Sequence, residues 1–222
     1  MSNSFFNMPF RGVSGQLILI NVVVFIGSYL FLGEGVFNRE TLDYDVMGRM
    51  YLASFLPGSP HFEPFQIATH MFMHGGLMHL LFNMLGIYWF GTMVEMVWGP
   101  QRFLFYYLTC GLGAWAIHTG VQWWELQNMG IDPTTWNGSV LGASGAVFGI
   151  MIAFAINFPN MEIRLLFPPI AMKAKYFVPI MAAAELFYGI GGFSTGIAHF
   201  AHLGGALVGF LLIGYWTKFR FK

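Results

Sequence analysis

The stretch VLGASGAVFGI, residues 140–150, sets a single hydroxyl among small residues at the start of an apolar run. Ser144 stands between Gly142 and Gly145, so little neighbouring side chain shields it. Gly145 and Gly149 also form a GxxxG pattern, which lets a second helix approach closely inside a membrane. Taken alone, the stretch is typical of a helix-packing surface. The rest of the sequence must decide whether the hydroxyl also reacts.

Composition indicates that this chain lies in a bilayer. Hydrophobic residues make up 56% of the 222 residues, charged residues make up 9%, and the mean hydropathy is +0.61. At about 20 apolar residues per crossing, the length allows roughly six spans. We therefore predict an all-α membrane protein with one domain over residues 1–222. A formal net charge of zero argues against a nucleic-acid partner. The single cysteine, Cys110, excludes an internal disulfide.

Hydropathy and helix-breaking residues divide the chain into six predicted transmembrane helices packed as one bundle. They cover residues 16–32, 77–97, 103–121, 144–158, 177–191 and 197–216. The segment 33–76 is too mixed to span, yet it is rich in Phe, Met, Tyr and Leu. We expect it to form a long outer loop at the membrane interface.

Basic residues near helix ends are retained on the cytoplasmic side, so their distribution predicts orientation. An N-terminus inside the cell leaves only Arg39 and Arg49, of the ten Lys and Arg, outside. Both termini are therefore predicted to be cytoplasmic. This orientation puts Ser144 near the outer face, where water reaches it.

Polar residues within predicted spans are functional candidates because they are rare and costly there. His79 and Asn83 are spaced i, i+4 and share one helix face. His199 and His202 open the last helix, where a second GxxxG follows. Interhelical hydrogen bonds are an alternative role for His79 and Asn83. Glu95 and Glu185 are expected to make helix-end or helix–helix contacts at the cytoplasmic side, away from the outer sites.

Three predicted helices carry reactive or polar groups at the same predicted depth: a hydroxyl, an imidazole, and an amide with a second imidazole. Together these groups are typical of a hydrolase active site. Serine becomes a nucleophile when an adjacent base takes its proton, and histidine, with an ordinary pKa near 6.5, suits that task. We predict Ser144 as nucleophile and His202 as base. The Ser144 backbone N–H, Asn83 and His79 would stabilise the oxyanion.

Three motifs in this order carry a family resemblance: HGGLMHLLFN at residues 74–83, GASG at 142–145 and AHLGGALVGF at 201–210. Together they resemble the rhomboid family of intramembrane serine proteases, over roughly residues 66–215. The resemblance implies a six-helix bundle and a Ser–His dyad of Ser144 and His202. It also assigns Asn83 and His79 to oxyanion stabilisation. No cofactor and no metal are implied.

The resemblance extends to supporting residues. Gly142 and Gly145 leave room for a substrate backbone, while Gly205 and Gly209 allow close packing of the last helix. Phe148 would stack on the His202 ring. We expect no acidic residue beside His202 to complete a triad, in keeping with the family's dyad.

One departure from the family lies in the first loop, where many members carry Trp-Arg and this chain has Gly48-Arg49. Arg49 is expected to keep part of that role. Glu95 and Gly99 match the family's spacing at the end of the helix predicted at 77–97, which supports a structural role for Glu95.

The family cleaves transmembrane segments, so the expected partners are single-span membrane proteins and membrane lipids. A helix in lipid shields its peptide bonds, so substrates should enter sideways and unwind near the outer face. The helix at 177–191 is a candidate lateral gate, and GGFSTG at 191–196 a candidate cap. A compact form without long extra domains is typical of a bacterial or archaeal protein, so we expect the chain to lie in the inner membrane. Substrate identity and oligomeric state are not readable from the sequence.

Two other functions compete with this prediction. Five histidines fall near one face, and His70-x-x-x-His74 has helical metal-ligand spacing, which would suit a metal-dependent membrane hydrolase. No HExxH motif is present to support it. A catalytically inactive, client-binding protein of the same fold is the other alternative, against which the intact Ser144, His202 and Asn83 argue.

Overall fold

The computed structural model describes residues 12–32, 51–164, 170–191 and 196–219, and helices dominate these ranges. The α-helices are α1 (Val13–Gly27), α2 (Gln66–Thr69), α3 (Leu77–Gly86), α4 (Thr92–Trp98), α5 (Pro100–Asn128), α6 (Ser144–Asn157), α7 (Ala174–Ile190) and α8 (His199–Phe219). A π-helical turn, Ser28–Leu32, extends α1, and another, Ile87–Gly91, joins α3 to α4. Two 3-10 turns cover His70–Phe72 and Pro133–Thr135.

Each of the six predicted helices falls on a helical segment of the structure. Three of these segments are long and apolar enough to cross a membrane: Val13–Phe31, Leu77–Trp98 and His199–Lys218. Ser144–Asn157 is a shorter apolar helix, as its sequence predicted. Length and hydropathy therefore support a membrane protein with at least three crossings.

Helix α5 is longer than predicted. It was expected to end at residue 121, but it continues to Asn128 and contains 29 residues. The added residues QWWELQN include good helix formers and neither Gly nor Pro, so nothing in them stops the helix. At 1.5 Å per residue α5 is about 44 Å long, against about 30 Å for a hydrocarbon core. If α5 crosses the membrane as predicted for residues 103–121, its polar end lies beyond the apolar layer.

Two short strand pairs interrupt the predicted all-α fold. Strand β1 (Ser54–Phe55) pairs antiparallel with β2 (Ser139–Val140), and β3 (Glu162–Arg164) pairs antiparallel with β4 (Ala171–Lys173). The first pair places Ser54 opposite Val140. This pairing ties the loop after α1 to the residues that lead into α6.

Glycine stripes let α6 pack closely against α8. A Cβ on Gly149 would lie 3.2 Å from the Gly205 carbonyl oxygen, and one on Gly209 would lie 3.1 Å from the Gly149 Cα. One on Gly205 would collide with the backbone of Gly145. At the same contact, the Tyr106 hydroxyl of α5 donates to the Gly149 carbonyl at 2.7 Å. The GxxxG patterns therefore act as packing surfaces, whatever else they do.

Glu95 caps the first helix. Its carboxylate accepts hydrogen bonds from the backbone N–H of Val13 at 2.6 Å and of Ser14 at 2.8 Å, and from the Ser14 hydroxyl at 2.5 Å. These donors belong to the first turn of α1, which has no intrahelical acceptors for them. The predicted structural role of Glu95 at a helix end is confirmed.

Large apolar side chains on the outer surface of the helices are exposed. Examples are Phe31, Leu77, Phe82, Phe187, Ile190 and Phe210. A surface of this kind is unfavourable in water and suits contact with lipid tails.

The predicted interfacial loop is only partly within the described residues. From residue 51 onward it buries apolar side chains against the bundle, among them Ala53, Phe55, Leu56, Met71 and Met73. Arg39, Gly48 and Arg49 lie outside the described residues, as do Arg11, Arg220, Lys222 and positions 192–195 of the predicted cap.

Candidate active site

Ser144 and His202 come together at the junction of α6 and α8. Ser144 is the first residue of α6, and His202 lies in the first turn of α8. The distance from Ser144 Oγ to His202 Nε2 is 2.8 Å, a hydrogen-bond distance. With a neutral imidazole, the hydroxyl donates to Nε2. This is the arrangement in which a base can take the proton from a serine nucleophile.

Phe148 lies one turn after Ser144 on α6 and covers the histidine ring. The two ring centroids are 4.5 Å apart and the ring planes differ by 9°. Such stacking restricts the imidazole to one plane. The Nε2 atom therefore stays in the plane that contains the serine oxygen.

Gly142 gives the chain leading into α6 a backbone conformation that other residues rarely adopt. Its φ is +123°, and a Cβ there would lie 2.8 Å from both Cε1 and Nε2 of His79. The Gly142 N–H donates to the carbonyl of His70 at 2.9 Å. Glycine is thus needed for the turn and for the close approach of the His79 ring.

His79 and Asn83 lie on α3 beside the start of α6. The His79 ring meets Gly142. Further along both segments, a Cβ on Gly86 would lie 2.6 Å from Val147. The contacts advance in the same direction along both chain segments, so α3 and α6 run parallel. Asn83 therefore stands at the depth of Ser144.

The amide of Asn83 is engaged within its own helix. Asn83 is 4% exposed, and its Nδ2 donates to the His79 carbonyl at 2.9 Å. The His79 Nδ1 accepts from the Gly75 N–H at 3.4 Å, and its ring meets the His74 ring edge-on at 5.1 Å. The His79 ring borders Gly142, and the Asn83 amide would have to turn before it could donate to another group.

An acidic residue lies directly beside His202, and the prediction that there is none was wrong. Oε1 of Glu185 is 3.1 Å from Nδ1 of His202, and Oε2 is 2.6 Å from Nδ1 of His199. The contact with His202 is at ion-pair distance but misses the alignment of a directional hydrogen bond. The expectation that Glu185 lies away from the outer sites was also wrong.

The position of Glu185 follows from the short connection between α7 and α8. Glu185 lies five residues before the end of α7 at Ile190, and α8 begins at His199. A short connection brings the end of one helix beside the start of the next. The carboxylate therefore faces the first turn of α8. The sequence did carry a signal for this contact. Glu185 lies near the end of α7, and His199 and His202 lie near the start of α8, so a short connection can bring them to the same level.

The other histidines do not assemble into a metal site. Within the described ranges, no three His, Cys, Asp or Glu side chains gather where they could hold one ion. The Nδ1–H of His70 donates to the Gln66 carbonyl at 3.0 Å, and burial lowers the pKa of His70 to about 4. Its ring is therefore neutral, and it serves to join the outer loop to the start of α6.

The sequence of this chain is similar to those of known proteins. A family model described as Rhomboid domain matches residues 61–219, which is more than half of the chain. The chain therefore belongs to the rhomboid family of multi-pass membrane proteins.

Similar proteins include a rhomboid protease AarA of Providencia stuartii, 27% identical over 95% of this chain and 74% of that protein. Rhomboid-like protein 11, chloroplastic, of Arabidopsis thaliana is 28% identical over 91% of this chain and 65% of its own length. A presenilin-associated rhomboid-like protein A, mitochondrial, of Danio rerio is 30% identical over 65% of this chain and 35% of its own length. The chain thus spans three quarters of the first relative and less than two thirds of the other two.

Proposed function

We propose that this protein is an intramembrane serine endopeptidase that cleaves transmembrane segments of single-span membrane proteins near the outer membrane face. The observation that carries the proposal is the 2.8 Å contact between Ser144 Oγ and His202 Nε2 at the junction of two packed helices. The similarity to a protein named rhomboid protease supports the same reaction class.

In the proposed reaction, the Ser144 oxygen attacks the carbonyl carbon of the scissile peptide bond while His202 Nε2 takes the hydroxyl proton. The tetrahedral intermediate collapses to an acyl-enzyme as the same nitrogen gives its proton to the leaving amine. A water molecule, deprotonated by His202, then attacks the acyl carbonyl carbon. As the bond to the Ser144 oxygen breaks and the acid product leaves, His202 returns the proton to that oxygen. Each step uses Nε2, so the imidazole must keep this nitrogen facing the serine.

Donors around the start of α6 would stabilise the negative charge on the intermediate. The Ser144 N–H lies in the first turn of α6, where backbone N–H groups have no intrahelical acceptor. The Asn83 amide and the His79 ring are the side-chain donors in this proposal. Loss of one such donor costs about 2.7 to 4 kcal/mol of transition-state stabilisation in a serine protease.

The proposed topology is one domain of six crossings with both termini in the cytoplasm. The crossings correspond to α1, α3–α4, α5, α6, α7 and α8. The site then opens toward the outer side, where water is available for hydrolysis. We place the protein in the inner membrane of a bacterial or archaeal cell, and fractionation of its native host tests this location.

Substrates enter sideways in this proposal, and α7 is the gate. Within the described residues, α7 buries only Ala174 and Val178, both in its first half, and its outer half exposes Leu186, Phe187 and Ile190. The contacts of Glu185 and Tyr188 with His199 hold α7 to α8, so the proposed opening lies on the other flank of α7, between it and α3. A cross-link between the outer ends of α7 and α3 should stop cleavage of membrane substrates, and unchanged cleavage would contradict the gate.

The experiment that tests the proposal is cleavage of a single-span membrane protein by the purified protein in detergent. Wild type is compared with Ser144→Ala, and a metal chelator is added to a parallel wild-type sample. We expect cleavage by wild type with or without chelator, and none by the variant.

Other outcomes point to the competing functions. Cleavage that survives Ser144→Ala and stops with chelator would move the chemistry to a metal. A folded wild type that cleaves none of a panel of single-span proteins would favour a client-binding role.

A further inference from the structure

We propose that Glu185 is a positioning residue for the catalytic histidine, so that the site works as a Ser144–His202 pair held by a carboxylate. This inference rests on the proposed function. It departs from a simple dyad, in which packing alone orients the imidazole.

The carboxylate sits between two imidazoles in a sheltered position. Its oxygens face Nδ1 of His202 at 3.1 Å and Nδ1 of His199 at 2.6 Å. The side chains of His202 and Glu185 are each 12% exposed, and that of His199 is 7% exposed. Little water competes for these atoms, so the interaction between carboxylate and ring is stronger than at a surface.

Stacking on Phe148 leaves one ambiguity that Glu185 removes. A ring flip of 180° keeps the imidazole in the same plane but exchanges Nε2 with Cε1 and Nδ1 with Cδ2. Stacking is nearly the same for both orientations, so Phe148 alone does not choose between them. Glu185 favours the orientation with Nδ1 toward α7, which directs Nε2 at Ser144.

The carboxylate also selects the tautomer that a base needs. A carboxylate accepts hydrogen bonds only, so the proton of the neutral ring is favoured on Nδ1. Nε2 is then left with a lone pair for the serine proton. When His202 takes up that proton, Glu185 lies 3.1 Å from the resulting cation and stabilises it.

Other groups near His202 do not supply this effect. His79 of α3 and His118 of α5 interact electrostatically with His202, and Tyr188 of α7 stacks on His199 with ring centroids 5.6 Å apart. Among the contacts that the structure describes for these two rings, Glu185 supplies the carboxylate. Protonation of a neighbouring histidine would disfavour the imidazolium, whereas Glu185 favours it.

The test compares Glu185→Ala and Glu185→Gln with wild type. The rate of Ser144 modification by a fluorophosphonate probe and the kcat and KM for a model transmembrane substrate are measured in detergent, with thermal unfolding alongside. We expect labelling and kcat to fall at least about tenfold with KM unchanged. An aligned triad carboxylate contributes about 10⁴-fold, and this contact is longer and less aligned. Gln keeps the side-chain volume, so it decides the result if Ala does not fold.

Two further variants separate positioning from a structural tie. His199→Gln removes the shorter contact of Glu185 but leaves its contact with His202, so labelling should stay within about threefold of wild type, a change of less than 1 kcal/mol. Glu95→Gln removes the carboxylate that caps the start of α1 and does not contact His202. Stability should therefore fall, while the folded protein should label at the wild-type rate.

The outcomes distinguish this inference from the proposed function. Glu185 variants that label as fast as wild type, with Ser144→Ala unlabelled, would overturn the inference and leave the dyad intact. His199→Gln as slow as Glu185→Ala would mean that the carboxylate only ties α7 to α8, which also overturns it. Equal labelling of wild type and Ser144→Ala would refute the proposed function, and the inference would fall with it.

Discussion

Replacement of Gly205 by alanine should separate the two helices that carry the proposed catalytic pair, Ser144 and His202. A Cβ on Gly205 would lie 2.5 Å from the Gly145 carbonyl carbon and 3.0 Å from its Cα, and would meet its carbonyl oxygen closer still. Ordinary carbon contacts are about 3.5 to 4.0 Å, so α8 must move from α6 by about 1 Å at this point. Backbone atoms cannot turn aside as a flexible side chain can.

The displacement reaches the site because both reacting residues are close to the contact. Ser144 precedes Gly145, and His202 lies three residues before Gly205. A movement of this size stretches the 2.8 Å contact beyond hydrogen-bond distance. Misplacement by 1 Å can cost about 10²-fold in rate, and overpacking costs about 1 to 3 kcal/mol of stability. We therefore expect kcat for a model substrate to fall about 10²-fold, and the unfolding midpoint in detergent to fall with it.

Gly214→Ala is the matched control on the same helix. A Cβ on Gly214 meets nothing within 4 Å, so this variant adds the same methyl group without a collision. Its cleavage rate should equal that of wild type, and its stability should be unchanged or slightly higher. Wild-type cleavage by Gly205→Ala, or equal losses in the two variants, would refute the packing argument.

Three further predictions concern single contacts. Phe148→Ala removes a stack worth about 0.5 to 1.5 kcal/mol, so kcat should fall about 2- to 10-fold while Phe148→Tyr keeps it; equal rates for both would count against ring stacking on His202. Glu95→Ala removes the cap of α1 and should lower the free energy of unfolding by about 2 kcal/mol in a denaturation series, and an unchanged midpoint would disprove that role. Hydrogen bonds from the N–H and hydroxyl of Thr134 hold the pKa of Asp132 below its ordinary value, so the stability they add is present at neutral pH and is lost as pH falls through the lowered pKa. Thr134→Val should raise that pKa in an NMR titration, and an unmoved titration curve would contradict this cause.

Hydropathy and glycine patterning were sufficient to predict most of the helices. Long apolar runs ended by Gly, Pro or charge can form little but helices inside a membrane, because every backbone group must be paired there. The end of α5 was missed because residues 122–128 are of mixed polarity, so hydropathy carries no signal there. The short pairing of β1 with β2 depends on distant segments meeting, which no local pattern encodes.

The contact between Ser144 and His202 was predictable from the sequence, but its surroundings were not. Ser144 and His202 open two helices that were expected to start at the same depth, so helix positions alone were enough to bring them together. Glu185 was missed because its contact depends on how α7 is placed next to α8 and on which way its side chain points. The hydrogen bond from the Asn83 amide to the His79 carbonyl was missed for a similar reason. The sequence does not show whether the amide donates to its own helix or to an acceptor at the proposed site.

The most direct test of the central claim is to find which residue a fluorophosphonate probe modifies in membranes that contain the wild-type protein. Proteolysis and mass spectrometry of the labelled protein identify the position, with His202→Ala treated in parallel. The dyad predicts one adduct on Ser144 and its loss in the variant. An adduct on another residue, or labelling of Ser144 that does not change with His202→Ala, would contradict the account.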